Sequence, residues 1–297
     1  MCIESDRPGT KPHPAALPLA PESPVSLIVD GKPMAVLMCS PYDLDELAVG
    51  HLLSRGIIRE RGDLKALSVC PDMKSVKLET FSGLGASAEP EGLVYSACGA
   101  ARIEPRSPLA RASQPSPGPG LARETPEGAP GLDEIAEWAR SMFAAAELYR
   151  KTGGLHVAAL ACMRGNETSS PELPHCAMRQ PGSMGPPDLG GRYRPASLPY
   201  FVVREDVGRH NAVDKVLGRG FLDNIDFTKS VILTSGRIAA DMIQKAARAG
   251  VPILVSRSIP TTEAYAIATE IGITLIGRIS TQNPILYTRP DRIRRAH

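Results

Sequence analysis

The stretch Val231-Ile-Leu-Thr-Ser-Gly-Arg-Ile-Ala-Ala-Asp-Met-Ile-Gln-Lys-Ala-Ala-Arg-Ala-Gly-Val-Pro-Ile-Leu-Val-Ser256 decides the fold. Val231–Thr234 is a short apolar run, Ala239–Ala249 reads as a helix that stops at Gly250, and Val251–Ser256 is a second apolar run. Strand, helix and strand with short connections predict right-handed crossovers between parallel strands. The alternation extends both ways. Thr262–Ile271 reads as a helix ending at Gly272, and Ile273–Ile276 as a strand. Phe201–Val203 reads as a strand, and Asp206–Leu217 as a helix that turns Val213, Val216 and Leu217 inward. The expected class is α/β with a mostly parallel sheet. Ligands of such sheets gather at the carboxyl ends of the strands, where helix N-termini point.

Nearer the N-terminus, Val25–Val29, Asp30-Gly31 and Pro33–Met38 predict a hairpin with a tight Asp-Gly turn. Asp43-Leu-Asp-Glu46 has the spacing of a capping box. The helix it opens carries Leu44, Leu47, Ala48, His51 and Leu52 on one stripe and ends at Gly56. Leu64–Val69 and Ser75–Glu79 read as strands. Ile135, Trp138, Ala139, Met142, Phe143, Ala146 and Tyr149 repeat at helical spacing in one long helix, stopped by Gly153-Gly154, and Leu155–Ala161 reads as a buried strand. Glu104–Gly131 and Met163–Leu198 are rich in Pro and polar residues and show no periodicity. The chain thus divides into a disordered tail (1–24), a small α+β unit (25–103), a linker (104–131) and an α/β unit (132–297) with a disordered insertion near 163–198.

Aromatics are only 4% of the 297 residues against 42% apolar in all, so the core must be built from Ala, Val, Ile and Leu, which suits packed α/β layers. A net charge of +2 gives no basic field for nucleic acid. The Arg289–Arg295 stretch reads as a solvated basic tail. Met1–Pro24 has no apolar core of a signal peptide, and no apolar run reaches the roughly 18 residues of a membrane span. The expected compartment is the cytoplasm, where thiols stay reduced. The cysteines are Cys2, Cys39, Cys70, Cys98, Cys162 and Cys176; none forms a C-x-x-C pair, and none has zinc-type spacing to histidine, so no metal site is expected.

Chemistry concentrates in a few turns. Arg204-Glu-Asp-Val-Gly-Arg-His-Asn-Ala-Val-Asp-Lys215 gathers Asp206, Arg209, His210, Asn211, Asp214 and Lys215 at a strand-to-helix turn. Asp206 and Asp214 each stand four residues from His210, a spacing at which a carboxylate orients the imidazole. Thr234-Ser-Gly-Arg237 brings Ser235, Gly236 and Arg237 to a helix N-terminus, as an anion cradle requires. Ser256-Arg-Ser-Ile-Pro-Thr-Thr262 is the equivalent turn one unit later, and its Ser258, Thr261 and Thr262 also suit a plain helix cap. His156, after Gly153-Gly154, reads more simply as a structural histidine. Tyr95-Ser-Ala-Cys-Gly-Ala-Ala101 places Cys98 beside a glycine ahead of the linker, a position open to reaction.

Taken together, these segments resemble the formate dehydrogenase accessory sulfurtransferase (FdhD) family. Glu205-Asp-Val-Gly-Arg-His-Asn-Ala-Val-Asp-Lys215 is similar to that family's signature nearly letter for letter. Asp45-Glu-Leu-Ala-Val-Gly-His-Leu-Leu53, Thr152-Gly-Gly-Leu-His156, Thr234-Ser-Gly-Arg237, Ile259-Pro-Thr-Thr262 and Thr274-Leu-Ile-Gly277 follow in the family's order. The resemblance covers roughly 25–103 and 132–290. It implies a cytidine-deaminase-like fold in the C-terminal half and a homodimer. It also implies transfer of persulfide sulfur from a cysteine desulfurase to the molybdenum bis-guanine-dinucleotide cofactor, on behalf of formate dehydrogenase. The sequence has no H-x-E and P-C-x-x-C deaminase signature, so zinc deamination is not expected.

On that resemblance Cys98 carries the sulfur. Asp206, Arg209, His210, Asn211, Ser235, Gly236, Arg237, Thr262, Arg278, Ser280 and Asn283 hold the cofactor, for which a guanine nucleotide serves as a mimic. Two departures stand out. The family's loop reads C-G-x-C, but here the second cysteine is replaced by Ala101. The family's Phe-x-Arg-Gly after Thr-Leu-Ile-Gly is here Arg278-Ile-Ser-Thr-Gln-Asn283. The first leaves a single-cysteine relay, with a cofactor chaperone that transfers no sulfur as its rival.

Overall fold

The computed structural model describes residues 19–81, 83, 93–94, 128–163 and 194–294. It contains two sheets. The first has the order β3-β4-β1-β2-β5: β1 (Ser23–Val29), β2 (Lys32–Cys39), β3 (Leu64–Val69), β4 (Ser75–Thr80) and β5 (Leu93–Val94). The Asp30-Gly31 turn forms as expected, both residues at positive φ (50° and 74°), which matches the twist of the hairpin strands. The second sheet has the order β11-β10-β9-β8-β6-β7: β6 (His156–Cys162), β7 (Tyr200–Asp206), β8 (Ser230–Thr234), β9 (Ile253–Ser256), β10 (Thr274–Gly277) and β11 (Ile285–Thr288).

The helices are α1 (Leu44–Arg55), α2 (Leu132–Ala145), α3 (Glu147–Thr152), α4 (Arg209–Leu222), α5 (Ala240–Ala249) and α6 (Thr262–Ile271). Along β6 side chains alternate between two cores, as the period of a strand demands. Ala158 and Leu160 join a cluster with the first sheet, α1, α4 and α5, while Val157, Ala159 and Ala161 join one with α2. Helices therefore cover both faces of the second sheet. The first cluster runs without a break from Val25 and Leu27 through α1 to Val213 and Leu254.

The mostly parallel sheet is corrected. Pairing is parallel only between β8 and β9 and between β9 and β10; β6 lies antiparallel to both β7 and β8, and β11 antiparallel to β10. The physical reason is the path of β7-α4-β8. That crossover gives β7 and β8 a common direction but leaves a strand's width between them, and β6 fills it in the opposite sense.

Four local expectations also change. Asp43 and Glu46 form no capping box: Asp43 takes a left-handed conformation with no side-chain cap. Both acids turn to Arg204 on β7. Glu46 accepts from its Nε and Nη2 at 2.5 and 2.8 Å, and Asp43 lies 3.5 Å from Nε. The long helix over 135–149 breaks at Ala146, because the Glu205 carboxylate accepts hydrogen bonds from the backbone N–H groups of Leu148 and Tyr149 and so starts a new helix there. Of the Arg289–Arg295 stretch, the described part, up to Arg294, is no solvated tail. The Arg292 side chain is buried and donates to the carbonyls of Gly272 and Pro252, while Arg294 pairs with Glu134 at 2.7 Å. Residue 198, within the presumed insertion, packs in the α2 core as Leu198.

Helix α1 is buried nearly all round. It crosses α4 at two glycines. A Cβ built on Gly218 would stand 1.8 Å from the carbonyl oxygen of Glu46, and one on Gly50 1.8 Å from that of Asp214. Gly218→Ala is expected to cost about 3 kcal/mol or more of stability, read as a lower urea midpoint. Gly62→Ala, whose nearest neighbour would be 3.9 Å away, is expected to stay within about 0.5 kcal/mol.

Candidate functional site

The carboxyl ends of β7, β8, β9 and β10 and the amino end of β6 form one edge of the second sheet. Its frame is a buried polar network. Asp206 ends β7 rather than starting the helix. Fully buried, it accepts from Ser40 N (3.1 Å), Gly208 N (2.8 Å) and Asn211 Nδ2 (3.0 Å) and pairs with Lys215 Nζ at 2.8 Å. Asn211 Nδ2 also donates to Met38 O at 2.8 Å, and Lys215 Nζ to Ser40 O at 3.2 Å. The network ties the end of β2 to the β7–α4 turn. Asp206 and Asn211 are thus turned into the protein, which gives them the task of holding the turn's shape.

That turn carries Arg209 and His210. The Arg209 stem crosses Gly236, where a Cβ would approach Arg209 Cβ to 2.9 Å, so only glycine lets the two turns meet. Arg209 is 9% exposed, its Nε has no hydrogen-bond partner, and the side chain makes no ion pair among the described residues. A buried guanidinium without a paired anion is costly, several kcal/mol for an ion of that kind, and the charge that Arg209 does feel, that of Asp241, is shared with His210. His210 does not meet Asp206 or Asp214, as its spacing suggested. Its Nε2 lies 2.7 Å from Asp241 Oδ2 on α5. Burial works against ionisation of Asp241, yet the contact with His210 holds its carboxyl below the usual range. Asp214 instead takes Lys245 at 2.7 Å and His51 at 3.6 Å, deep between α1, α4 and α5. Burial alone would raise the Asp214 pKa, but these partners hold it at about 2.

The Thr234–Arg237 turn is cross-braced. Ser235 Oγ accepts from Val157 N at 3.0 Å and lies 3.5 Å from His156 Nδ1. Gly236 N donates to Thr234 Oγ1, and Gly236 O accepts from Ser256 Oγ at 2.6 Å. Arg257 N donates to Thr234 O and Arg278 N to Ser258 O, so the turns after β8, β9 and β10 form a staircase. Each carries one exposed arginine: Arg237, Arg257 and Arg278. Adjacent strands lie about 4.8 Å apart, so the edge presents a row of cations. Arg257 is already placed, with Nη1 on Tyr149 Oη at 2.6 Å and its guanidinium 5.6 Å from the Phe143 ring centre.

Of the other expected residues, Arg278 (φ 57°), Ser280 and Asn283 are exposed in the turn after β10. Thr262 is exposed in the first turn of α6, whose cap is Thr261. Cys98 lies outside the described residues, as do Cys2 and Cys176. Sequence reasoning missed Asp241, which looked like an ordinary first-turn acid, and Arg257, whose turn was noticed for its hydroxyls. Among the described residues no group of three His, Cys, Asp or Glu side chains is arranged to hold a metal, and no helix is long and apolar enough to cross a membrane.

The sequence matches the FdhD/NarQ family over residues 20–172 and 196–294. The chain belongs to that family. Its two matched stretches contain every turn of the carboxyl edge. Among curated relatives, the sulfur carrier protein FdhD of Staphylococcus aureus strain MRSA252 is 29% identical over 277 residues, covering 92% of this chain and 88% of the relative. That of strain Newman is 28% identical over the same span. A solved structure from Desulfotalea psychrophila, described as a formate dehydrogenase accessory protein, superposes with a TM-score of 0.61 at 23% identity over 93% of this chain and 90% of the other. That likeness shows that the two share a fold.

The remaining question at the site is which thiols can react. Burial pushes the Cys39 thiol up to about 12, helped by nearby Asp206. Cys162 is buried at the far end of β6, about 20 Å from His156 at the usual rise per residue. Both thiols are closed to solvent in the folded protein. In the native protein N-ethylmaleimide is expected to leave Cys39 and Cys162 unlabelled, and urea to expose both, as checked by peptide mass spectrometry.

Proposed function

We propose that this protein is a sulfur carrier that supports formate dehydrogenase. Cys98 receives persulfide sulfur from a cysteine desulfurase, and the sulfur passes to molybdenum in the bis-guanine-dinucleotide cofactor, which the carboxyl edge holds as cargo. Membership of the FdhD/NarQ family and the names of the relatives support the carrier role. The observation that carries the binding reading is Arg209, a buried cation with no anion of its own, lying across Gly236. A phosphate oxygen at that point gains a charge-assisted bond and relieves the unpaired charge. Arg237, Arg257 and Arg278 continue the positive edge for the rest of a dinucleotide, and the Ser235–Gly236 turn adds a hydroxyl and a close backbone approach.

The first sulfur step balances on its own. The Cys98 thiolate attacks the outer sulfur of the desulfurase persulfide. A new sulfur–sulfur bond forms, the old one breaks, and the desulfurase thiolate leaves. One thiol suffices for this, so Ala101 is compatible with it. The same proposal includes a cytidine-deaminase-like relationship for the second sheet and its helices, a homodimer, and a cytoplasmic location.

Incubating the full chain with an active cysteine desulfurase and cysteine should give a sulfur adduct on the Cys98 peptide, lost in Cys98→Ala. No adduct on Cys98 would replace the relay with the chaperone that holds the cofactor without moving sulfur. Separately, guanosine diphosphate should bind the protein, and Arg209→Gln should weaken that binding about tenfold or more, the loss expected for a charged hydrogen bond worth roughly 1.5–3 kcal/mol. Unchanged affinity in Arg209→Gln, measured by calorimetry, would remove the carboxyl edge from the binding reading.

A further inference from the structure

His156 stands at the start of β6, opposite Asp206 in the β6–β7 ladder. Sequence spacing made it structural. Its surroundings point elsewhere. It is half-buried, its Nδ1 is 3.5 Å from Ser235 Oγ, and Ser235 belongs to the turn that the Arg209 stem crosses. The charged groups facing it come from every neighbouring element. Arg209 and His210 lie on α4 and repel its charge. Asp241 on α5 is engaged by His210, and Asp206 on β7 is engaged by Lys215 and Asn211. Both acids thus have other partners, and Arg209, whose Nε has no hydrogen-bond partner, shares the charge of Asp241 with His210.

We infer that His156 is a ligand of the anion site at Arg209 and Gly236, and that an oxyanion bound there draws a proton onto His156. The inference rests on the reading of this edge as an anion site and adds a residue and a proton to it. The hydroxyl of Ser235 makes the change local. Its oxygen already accepts from Val157 N. With His156 neutral and its proton on Nε2, the Ser235 O–H donates to Nδ1. Once His156 is protonated, Nδ1–H donates to the Ser235 oxygen, and the Ser235 O–H is free to turn to the anion. Burial, with the charges of Arg209 and His210, keeps His156 below the usual histidine range. An anion beside Arg209 cancels that repulsion and replaces it with attraction.

The sign follows by linkage. Binding raises the His156 pKa, so affinity is highest below the pKa of the empty site and is lost as pH rises through the pKa of the occupied one. Each unit of rise makes binding at low pH about tenfold tighter than at high pH.

Sulfate is the probe, because it does not titrate in the range where histidine does, about pH 5 to 8. The His156 imidazole is followed by NMR in the full chain, its signals assigned through His156→Gln. Addition of sulfate is expected to shift the Gly236 and Arg237 amides and to raise the His156 pKa by about one unit, with no such rise in Arg209→Gln. His156→Gln is expected to bind sulfate with an affinity that no longer varies over that range. If sulfate shifts those amides while His156 titrates unchanged, the proton link is wrong and the nucleotide reading stands. If sulfate fails to bind at saturating concentration, the inference falls, and guanosine diphosphate binding decides the cofactor reading on its own. If only guanosine diphosphate fails while sulfate raises the His156 pKa, the anion site is real and the guanine cargo is wrong.

Discussion

The crossing of α1 over α4 is the constraint on which the rest depends. At Gly50 and Gly218 two backbones come closer than any side chain permits. That approach brings the first turn of α1 beside β7, so that Glu46 meets Arg204 in a two-pronged ion pair. It also brings the end of β2 against the β7–α4 turn, where Ser40 and Met38 join the Asp206 network. Burying so many charges contributes little net stability, but losing one partner of such a pair costs about 3–5 kcal/mol. What the network secures is geometry. It fixes the turn from which Arg209 and His210 project, and it does so with groups drawn from both sheets.

Against this well-satisfied interior the carboxyl edge is unlike its surroundings. Asp206, Asp214 and Glu205 are each met by several donors or cations. Arg209, a few residues away, has an Nε with no hydrogen-bond partner and only the shared charge of Asp241 within electrostatic reach. Proteins tolerate such mismatches where a ligand completes them, and the turns after β8, β9 and β10 are held in a staircase without closing over the edge. Each turn is held by the next through backbone and Ser256 hydrogen bonds rather than by side chains reaching across the edge. The arginines therefore need not spend their donors on the fold, Arg257 excepted.

Most elements were legible in the sequence, because their signals are local. Apolar runs located β3, β4, β6, β8, β9 and β10 within a residue or two, and Gly56, Gly153, Gly250 and Gly272 ended their helices in the left-handed conformation expected of them. What escaped was long-range. Asp43 and Glu46 have the spacing of a cap, but Arg204 outcompetes the backbone for them. Tyr149 and Ala146 continue a helical stripe, yet a carboxylate from β7 cuts it. His210 has acids at plausible spacing and binds one from another helix. β11 is a short run after a polar turn, and only its pairing with β10 makes it a strand. In the site, residue types at the turns were readable, and the division between those turned into the frame and those left at the surface was not.

The bridge between Gly131 and Arg294 joins the segment just before α2 to the last described residue of the half that carries the second sheet. Two residues earlier, Arg292 closes on the carbonyls of Pro252 and Gly272, next to the amino ends of β9 and β10, on the side away from the arginine edge. The polypeptide thus enters and leaves this half at one place behind the site. Chain length between the two sheets is then nearly free of consequence for the edge, since the entropy of closing a longer connection grows only with the logarithm of its length. Insertions, deletions or a fused partner at that point would alter what hangs from the back of the molecule while the row of cations at the front keeps its spacing.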